Sequence, residues 1–155
     1  MPSKAEDLRI VCIAPAMIGQ MWPLISPWLL KAQLAMGNSL RDAMETLTEG
    51  TVAAAEGRYQ LWAILDHDSK RCLGAFVTEI IEERGKKMVW VTSLAGEGIL
   101  RWGPLLSERM AEFAKAEGCK AIRFAGRKGL LRAYRKVRIV DDYDAQSFVF
   151  ERAVS

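Results

Sequence analysis

Histidine occurs once in the 155 residues, at His67, and cysteine three times, at Cys12, Cys72 and Cys119. The cysteines are odd in number, widely spaced and form no CxxC pair, so neither a disulfide scaffold nor a zinc site is expected. Each lies among apolar residues, which predicts buried, reduced thiols in a cytosolic compartment. Long apolar runs are absent too: none reaches the roughly 20 residues that span a bilayer. The first residues, MPSKAEDLRIVCIAP, lack the apolar stretch of a signal peptide. Neither sign of charge dominates, with 22 Lys and Arg against 19 Asp and Glu. A net charge of +3 does not by itself imply nucleic-acid binding. There is no repeat, low-complexity tract or linker, so residues 1–155 read as a single soluble domain, long enough to bury a core.

What is present is a sequence of short strands and helices. Leu8–Ala14 (LRIVCIA) reads as a first strand closed by Pro15. From Ala16 to about Gln33 apolar residues recur at helical spacing. Pro23 and Pro27 within that stretch predict a broken helix, or a first turn restarted near Pro27. Asn38-Ser39 offers an N-cap for a second helix bearing Leu40, Ala43, Met44 and Leu47 on one face and ended by Gly50. Tyr59–Asp66, Cys72–Ile81 and Lys87–Leu94 read as a meander of three strands. Alternation in the first puts Leu61, Ala63 and Leu65 opposite Trp62 and Ile64. Ile99, Trp102, Leu106, Met110, Phe113 and Ala114 mark an amphipathic helix ended by Gly118. Lys120–Ala125 is a further strand, and Leu130, Tyr134 and Val137 mark another helix. Val137–Tyr143 and Ser147–Val154 read as a closing antiparallel pair. The order gives an α+β fold with a mixed, mostly antiparallel sheet flanked by helices.

The stretch WVTSLAGEGILRWG, Trp90–Gly103, passes from strand through two glycines into helix. Exposed N–H groups at such a helix start attract anions, so this is how phosphate is commonly cradled. A turn whose glycines merely permit positive φ is the alternative.

With YQLWAILD, GAFVTEI, LAGEGILRWGPLLSERMAEFAKAEGCKAI and GRKGLLRAY in this order, nearly the whole chain resembles the GNAT (Gcn5-related N-acetyltransferase) superfamily. It is similar in particular to the compact GNAT-like proteins of tailed bacteriophages. The resemblance implies that two central parallel strands, Lys87–Leu94 and Lys120–Ala125, are adjacent and splay at their ends. It further implies that the loop after the fourth strand, of the form Q/R-x-x-G-x-G/A, binds the pyrophosphate of acetyl-CoA. Val91, Ser93, Gly96, Gly98 and Ile99 are then the cofactor-binding residues, with Ser93 where Gln or Arg is expected. Glu97 places a carboxylate inside that loop, where it would oppose a diphosphate unless its side chain turns to solvent. Pro104 predicts that the regular helix begins near Leu100–Gly103, beyond the glycines. Tyr134 matches the family's general acid toward the departing thiolate. The family's following Gly-Phe is Arg138-Ile139 here, and a packing tyrosine on the Leu130/Val137 face is the alternative. Glu79 is a weak candidate for the general base, and no base is assigned.

Other features have plain explanations. Lys120–Arg138 contains eight basic residues and no acidic one, and Lys128, Arg132, Arg135 and Lys136 form a stripe. It would suit a phosphate or an acidic protein face, or be a solvated helix face; without interleaved aromatics, sequence-specific nucleic-acid reading is not expected. His67 is expected in a solvated turn. Asp141, Asp142 and Asp144 lack the glycine and closing glutamate of a calcium loop, so no metal is expected. Most of the five tryptophans should be core.

Two functions follow from the resemblance. One is an acyl-CoA-dependent N-acyltransferase acting on an unknown amine, with acetyl-CoA as acyl donor. The other is a non-catalytic structural or accessory virion protein on a GNAT scaffold, contacting other phage proteins. The corresponding locations are the host bacterial cytoplasm and the phage particle, and no membrane partner is expected.

Overall fold

Alternating side chains in YQLWAILD prepare two apolar surfaces, and helices that precede it in the chain cover the one that bears Leu61 and Ala63. The computed structural model describes residues 7–125, 142–144 and 149–154. Its strands are β1 (Leu8–Cys12), β2 (Tyr59–Asp66), β3 (Arg71–Glu83), β4 (Lys86–Gly96), β5 (Ala121–Ala125), β6 (Asp142–Asp144) and β7 (Val149–Ala153). Its α-helices are α1 (Ile18–Ala35), α2 (Leu40–Ala55) and α3 (Ile99–Ala116), with a 3-10 turn at Pro15–Met17. The strands are hydrogen-bonded in the order β1-β2-β3-β4-β5-β7-β6. The chain divides into two units, Met1–Thr78 with Ser93–Glu97, and Glu79–Thr92 with Gly98–Ser155.

In the first unit β1 runs antiparallel to β2, from Leu8↔Asp66 to Cys12↔Trp62. Leu61 and Ala63 of β2 join Ile13, Ile18, Ile25, Leu29, Ala54, Ala75 and Val77 in one apolar cluster, with Leu65 packed against it. On the opposite face Trp62 stacks on Phe76, ring centroids 5.4 Å and planes 7° apart. The Trp62 indole N–H donates to Thr78 Oγ1 at 2.9 Å, and Thr78 donates to Gln60 Oε1 at 2.8 Å, so this buried polar group is satisfied.

The break expected near Pro27 does not occur: α1 runs unbroken through Pro23 and Pro27. An interior proline costs roughly 3 kcal/mol and orphans the carbonyl four residues back. Here both prolines, Gly19 and Pro23 included among the orphaned positions, are exposed, so water can reach those carbonyls. Against the cost stands burial of Ile18, Ile25 and Leu29, at about 1.5–3 kcal/mol each. Gly50 does not end α2 either. The helix starts on Ser39, whose hydroxyl accepts from the Asp42 N–H at 3.1 Å, and continues until it has buried Ala53 and Ala54.

In the second unit β4 and β5 are adjacent and parallel, as expected, with register from Met88↔Ala121 to Val91↔Phe124. β7 lies between β5 and β6 and is antiparallel to both. Trp102, Leu106, Met110 and Ala114 form the buried stripe of α3. That helix ends in a Schellman motif: Gly118, at φ +72°, donates to Lys115 O and Cys119 donates to Ala114 O.

The cysteines depart from expectation. All three are free, but only Cys119 is buried; Cys72 is half-buried and Cys12 exposed. Cys12 is the last residue of β1; alternation puts it on the side of the buried Leu8 and Ile10, and it is exposed where the strand ends.

Candidate functional site

At the end of β4, Val91 belongs to the second unit and Ser93–Glu97 to the first. Val91 is buried and is the β4 partner of Phe124. Ser93, also buried, accepts a 2.7 Å hydrogen bond from Gln33 Nε2 of α1, and Gln33 Oε1 accepts one of 2.7 Å from Asn38 Nδ2. Its hydroxyl therefore faces the α1 side chain. Gly96 closes the strand. A Cβ on Gly74 of β3 would lie 2.7 Å from the Ala95 carbonyl oxygen and 3.0 Å from Gly96 Cα, so the backbones approach here as only glycine permits. The Glu97 N–H donates to Leu73 O at 2.8 Å and fixes the same approach.

Glu97 is half-exposed, and its Oε1 is hydrogen-bonded to Nη2 of Arg71. Its carboxylate is thus paired with a guanidinium at the start of β3 and is not an isolated charge in the loop.

Gly98 is the N-cap of α3, exposed and left-handed at φ +78°, ψ +38°. Glycine brings no side-chain oxygen to cap the first turn. The Arg101 and Trp102 N–H groups both bond Gly98 O, at 2.8 and 3.2 Å. The Ile99 and Leu100 N–H groups come before any intrahelical acceptor. The first turn holds no acidic residue and does hold Arg101. This is the donor chemistry an anion needs: backbone N–H groups and the positive end of an 18-residue helix, with no carboxylate in the first turn of that helix.

Pro104 does not push the helix start beyond the glycines. α3 begins at Ile99, directly after Gly98, and Pro104 is its sixth residue. The proline ring is exposed, and so is Leu100, whose carbonyl loses its partner to that ring and can be solvated.

Tyr134, Leu130, Val137, Arg138 and the basic stripe lie outside the described residues. Glu79 is half-buried on β3, and His67 is exposed, its backbone N–H bonded to Asp7 O. No three His, Cys, Asp or Glu side chains among the described residues could hold a metal ion. No helix among them is long and apolar enough to cross a membrane. Trp62 and Trp102 are core, while Trp28 is half-buried and donates to Cys72 O at 3.1 Å. Between α1 and α2 lies a cleft of about 410 Å³ lined by Trp22, Ser26, Pro27, Leu30, Met44, Leu47 and Thr48.

Three contributors escape the sequence reading: Gln33, Arg71 and Gly74. Gly74 alone carried a signal, an isolated glycine inside a strand pattern.

No family model and no curated protein matches the sequence. Solved structures match in fold at low identity. One is an aminoglycoside acetyltransferase from an uncultured soil metagenomic sample, solved in complex with trehalose: 15% identity, TM-score 0.63, covering 90% of this chain and 93% of that one. A second is a predicted acetyltransferase with acetyl-CoA from Clostridium acetobutylicum: 13% identity, TM-score 0.59, covering 89% and 92%. A third is AtaTR bound with acetyl-CoA: 12% identity, TM-score 0.59, covering 96% and 94%. The fold, among the described residues an α+β arrangement of a mixed sheet and three helices, matches the GNAT fold.

Proposed function

We propose that this chain transfers an acyl group from an acyl-CoA, acetyl-CoA in the simplest case, to an amine. The observation that carries the reading is the start of α3, which has no side-chain cap and follows directly on a left-handed Gly98 two residues beyond β4. In two of the matched structures the same fold holds acetyl-CoA.

On this reading the Ile99 and Leu100 N–H groups hold the diphosphate, Gly96 and Gly98 keep side chains out of its way, and the backbone of β4 from Val91 onward orients the acyl-bearing arm. Acetyl-CoA, when bound, supplies an activated thioester. The amine nitrogen forms the new bond to the acyl carbon as the carbon–sulfur bond breaks. Tyr134 gives its proton to the departing sulfur, and a base receives the proton shed by the amine. Holding donor and acceptor together supplies much of the acceleration. The apolar α1–α2 cleft, with the Ser26 and Thr48 hydroxyls on its wall, suits an amine with an apolar body.

Ser93, Glu97, Pro104 and Arg138 depart from the family pattern, and such departures would favour the virion reading. Two of these have partners, Gln33 and Arg71, and Pro104 leaves the helix start in place. Acyl transfer is therefore the reading we carry forward, without a phage assignment.

The test is thiol release from acetyl-CoA in the presence of a panel of primary amines. Amine-dependent release by the native chain, falling at least tenfold in Tyr134→Phe, supports the reading. Release that no amine stimulates, with acetyl-CoA or longer acyl-CoAs, opposes it.

A further inference from the structure

We infer that Arg71 is the side-chain cation that meets the cofactor's phosphate at the Gly96–Gly98 turn, and that Glu97 holds it there while the turn is empty. This rests on the acyl-CoA reading and adds to it a binding residue from a different strand.

Three observations converge on Arg71. The position where the family's loop carries Gln or Arg is Ser93 here; it is buried, its short hydroxyl side chain accepts from Gln33, and it brings no cation to the turn. The guanidinium bonded to the residue between the two glycines belongs to Arg71, at the start of β3. Its place is set by backbone: Glu97 N–H is tied to Leu73 O, two residues along, and Gly74 allows the close approach of Ala95 and Gly96.

The chemistry favours exchange of partner. Arg71 and Glu97 side chains are 63% and 48% exposed, and an exposed ion pair is weak. A guanidinium carries five N–H donors in a planar fork, and Glu97 engages one nitrogen of it. The diphosphate carries two negative charges against the carboxylate's one, and its oxygens match that fork. In the free chain Glu97 keeps Arg71 ordered beside the turn; with phosphate present the guanidinium turns from the carboxylate to the phosphate oxygens. Glu97 is then both a positioning group and a competitor.

Calorimetric titration of acetyl-CoA into the native chain, Arg71→Ala, Glu97→Gln and the double variant tests this. Arg71→Ala should weaken binding at least tenfold, and Glu97→Gln should tighten it by removing the competitor. The decisive comparison is within the Glu97→Gln background, where Arg71→Ala should still weaken binding at least tenfold. No change there would mean that Arg71 only masks the Glu97 charge, and would overturn the inference. Arg71→Lys, which keeps the charge without the fork, should bind between the two and guards against a misfolded alanine variant. Native chain that binds acetyl-CoA equally well with and without Arg71 overturns the inference alone; native chain that binds none overturns the acyl-CoA reading with it.

Discussion

Gln33 and Ser93, 60 residues apart in sequence, share a buried hydrogen bond, Gln33 Nε2 to Ser93 Oγ at 2.7 Å. The amide is bonded at both ends, since its oxygen accepts from Asn38. Gln33→Leu leaves Ser93 without this donor and Asn38 without this acceptor, and unmade buried hydrogen bonds cost about 1–3 kcal/mol. Urea unfolding should show a loss in that range, partly recovered when Ser93→Ala is added. Unchanged stability in Gln33→Leu would show that the pair contributes nothing.

Gly74→Ala should damage both stability and binding. Its Cβ would stand 2.7 Å from the Ala95 carbonyl oxygen, a backbone atom that cannot swing aside. Overpacking of this kind typically costs about 1–3 kcal/mol. Because the displaced segment leads into Gly96, acetyl-CoA affinity should also fall, as measured by titration on the folded fraction. Gly50→Ala, in open space inside α2, should instead be neutral or mildly stabilising, since an interior helical glycine costs roughly 0.5–1 kcal/mol relative to alanine.

Ser39→Ala removes the α2 cap, whose hydroxyl accepts from the Asp42 N–H. A loss of about 1 kcal/mol is expected from denaturant unfolding. Ser39→Asp should restore most of it, because a carboxylate also caps and suits the positive helix end.

Asp68 supplies a pH dependence. The charge of Asp7 chiefly, then burial, a side-chain hydrogen bond with Asp7, and Asp66, raise its carboxyl above the ordinary aspartate value; His67 acts in the opposite direction. A carboxyl raised on folding binds its proton more tightly folded than unfolded. Its repulsion therefore opposes folding at neutral pH and is relieved as pH falls through the raised value. Asp68→Asn should raise the melting temperature slightly at pH 7 and not at pH 3. An equal shift at both values would contradict the electrostatic origin.

Much of the fold was legible in the residues. The alternation of Leu61, Ala63 and Leu65 against Trp62 and Ile64, the Ser39 cap and the Gly118 stop follow from local pattern, while the parallel pairing of Lys87–Leu94 with Lys120–Ala125 came only through the family resemblance. The errors arose where burial outweighs local cost. Pro23 and Pro27 read as breaks, yet they sit on the wet side of a helix whose other side buries Ile25 and Leu29. Gly50 read as a stop because Ala53 and Ala54 beyond it have no apolar signature of their own. At the site, the two glycines could be seen, but the company of Glu97 could not. Arg71 lies 26 residues from it, Gln33 lies 60 from Ser93, and only strand and helix packing brings such pairs together.

The most direct test of the central claim, that the turn between β4 and α3 holds a CoA diphosphate, is thermal unfolding with and without saturating acetyl-CoA. A ligand at about 100 times its dissociation constant stabilises the folded state by roughly 2.7 kcal/mol. The account predicts a clear rise in melting temperature with acetyl-CoA and with free CoA, and a smaller one with pantetheine, which lacks the diphosphate. An unchanged melting temperature with all three, or equal stabilisation by pantetheine and CoA, would contradict it.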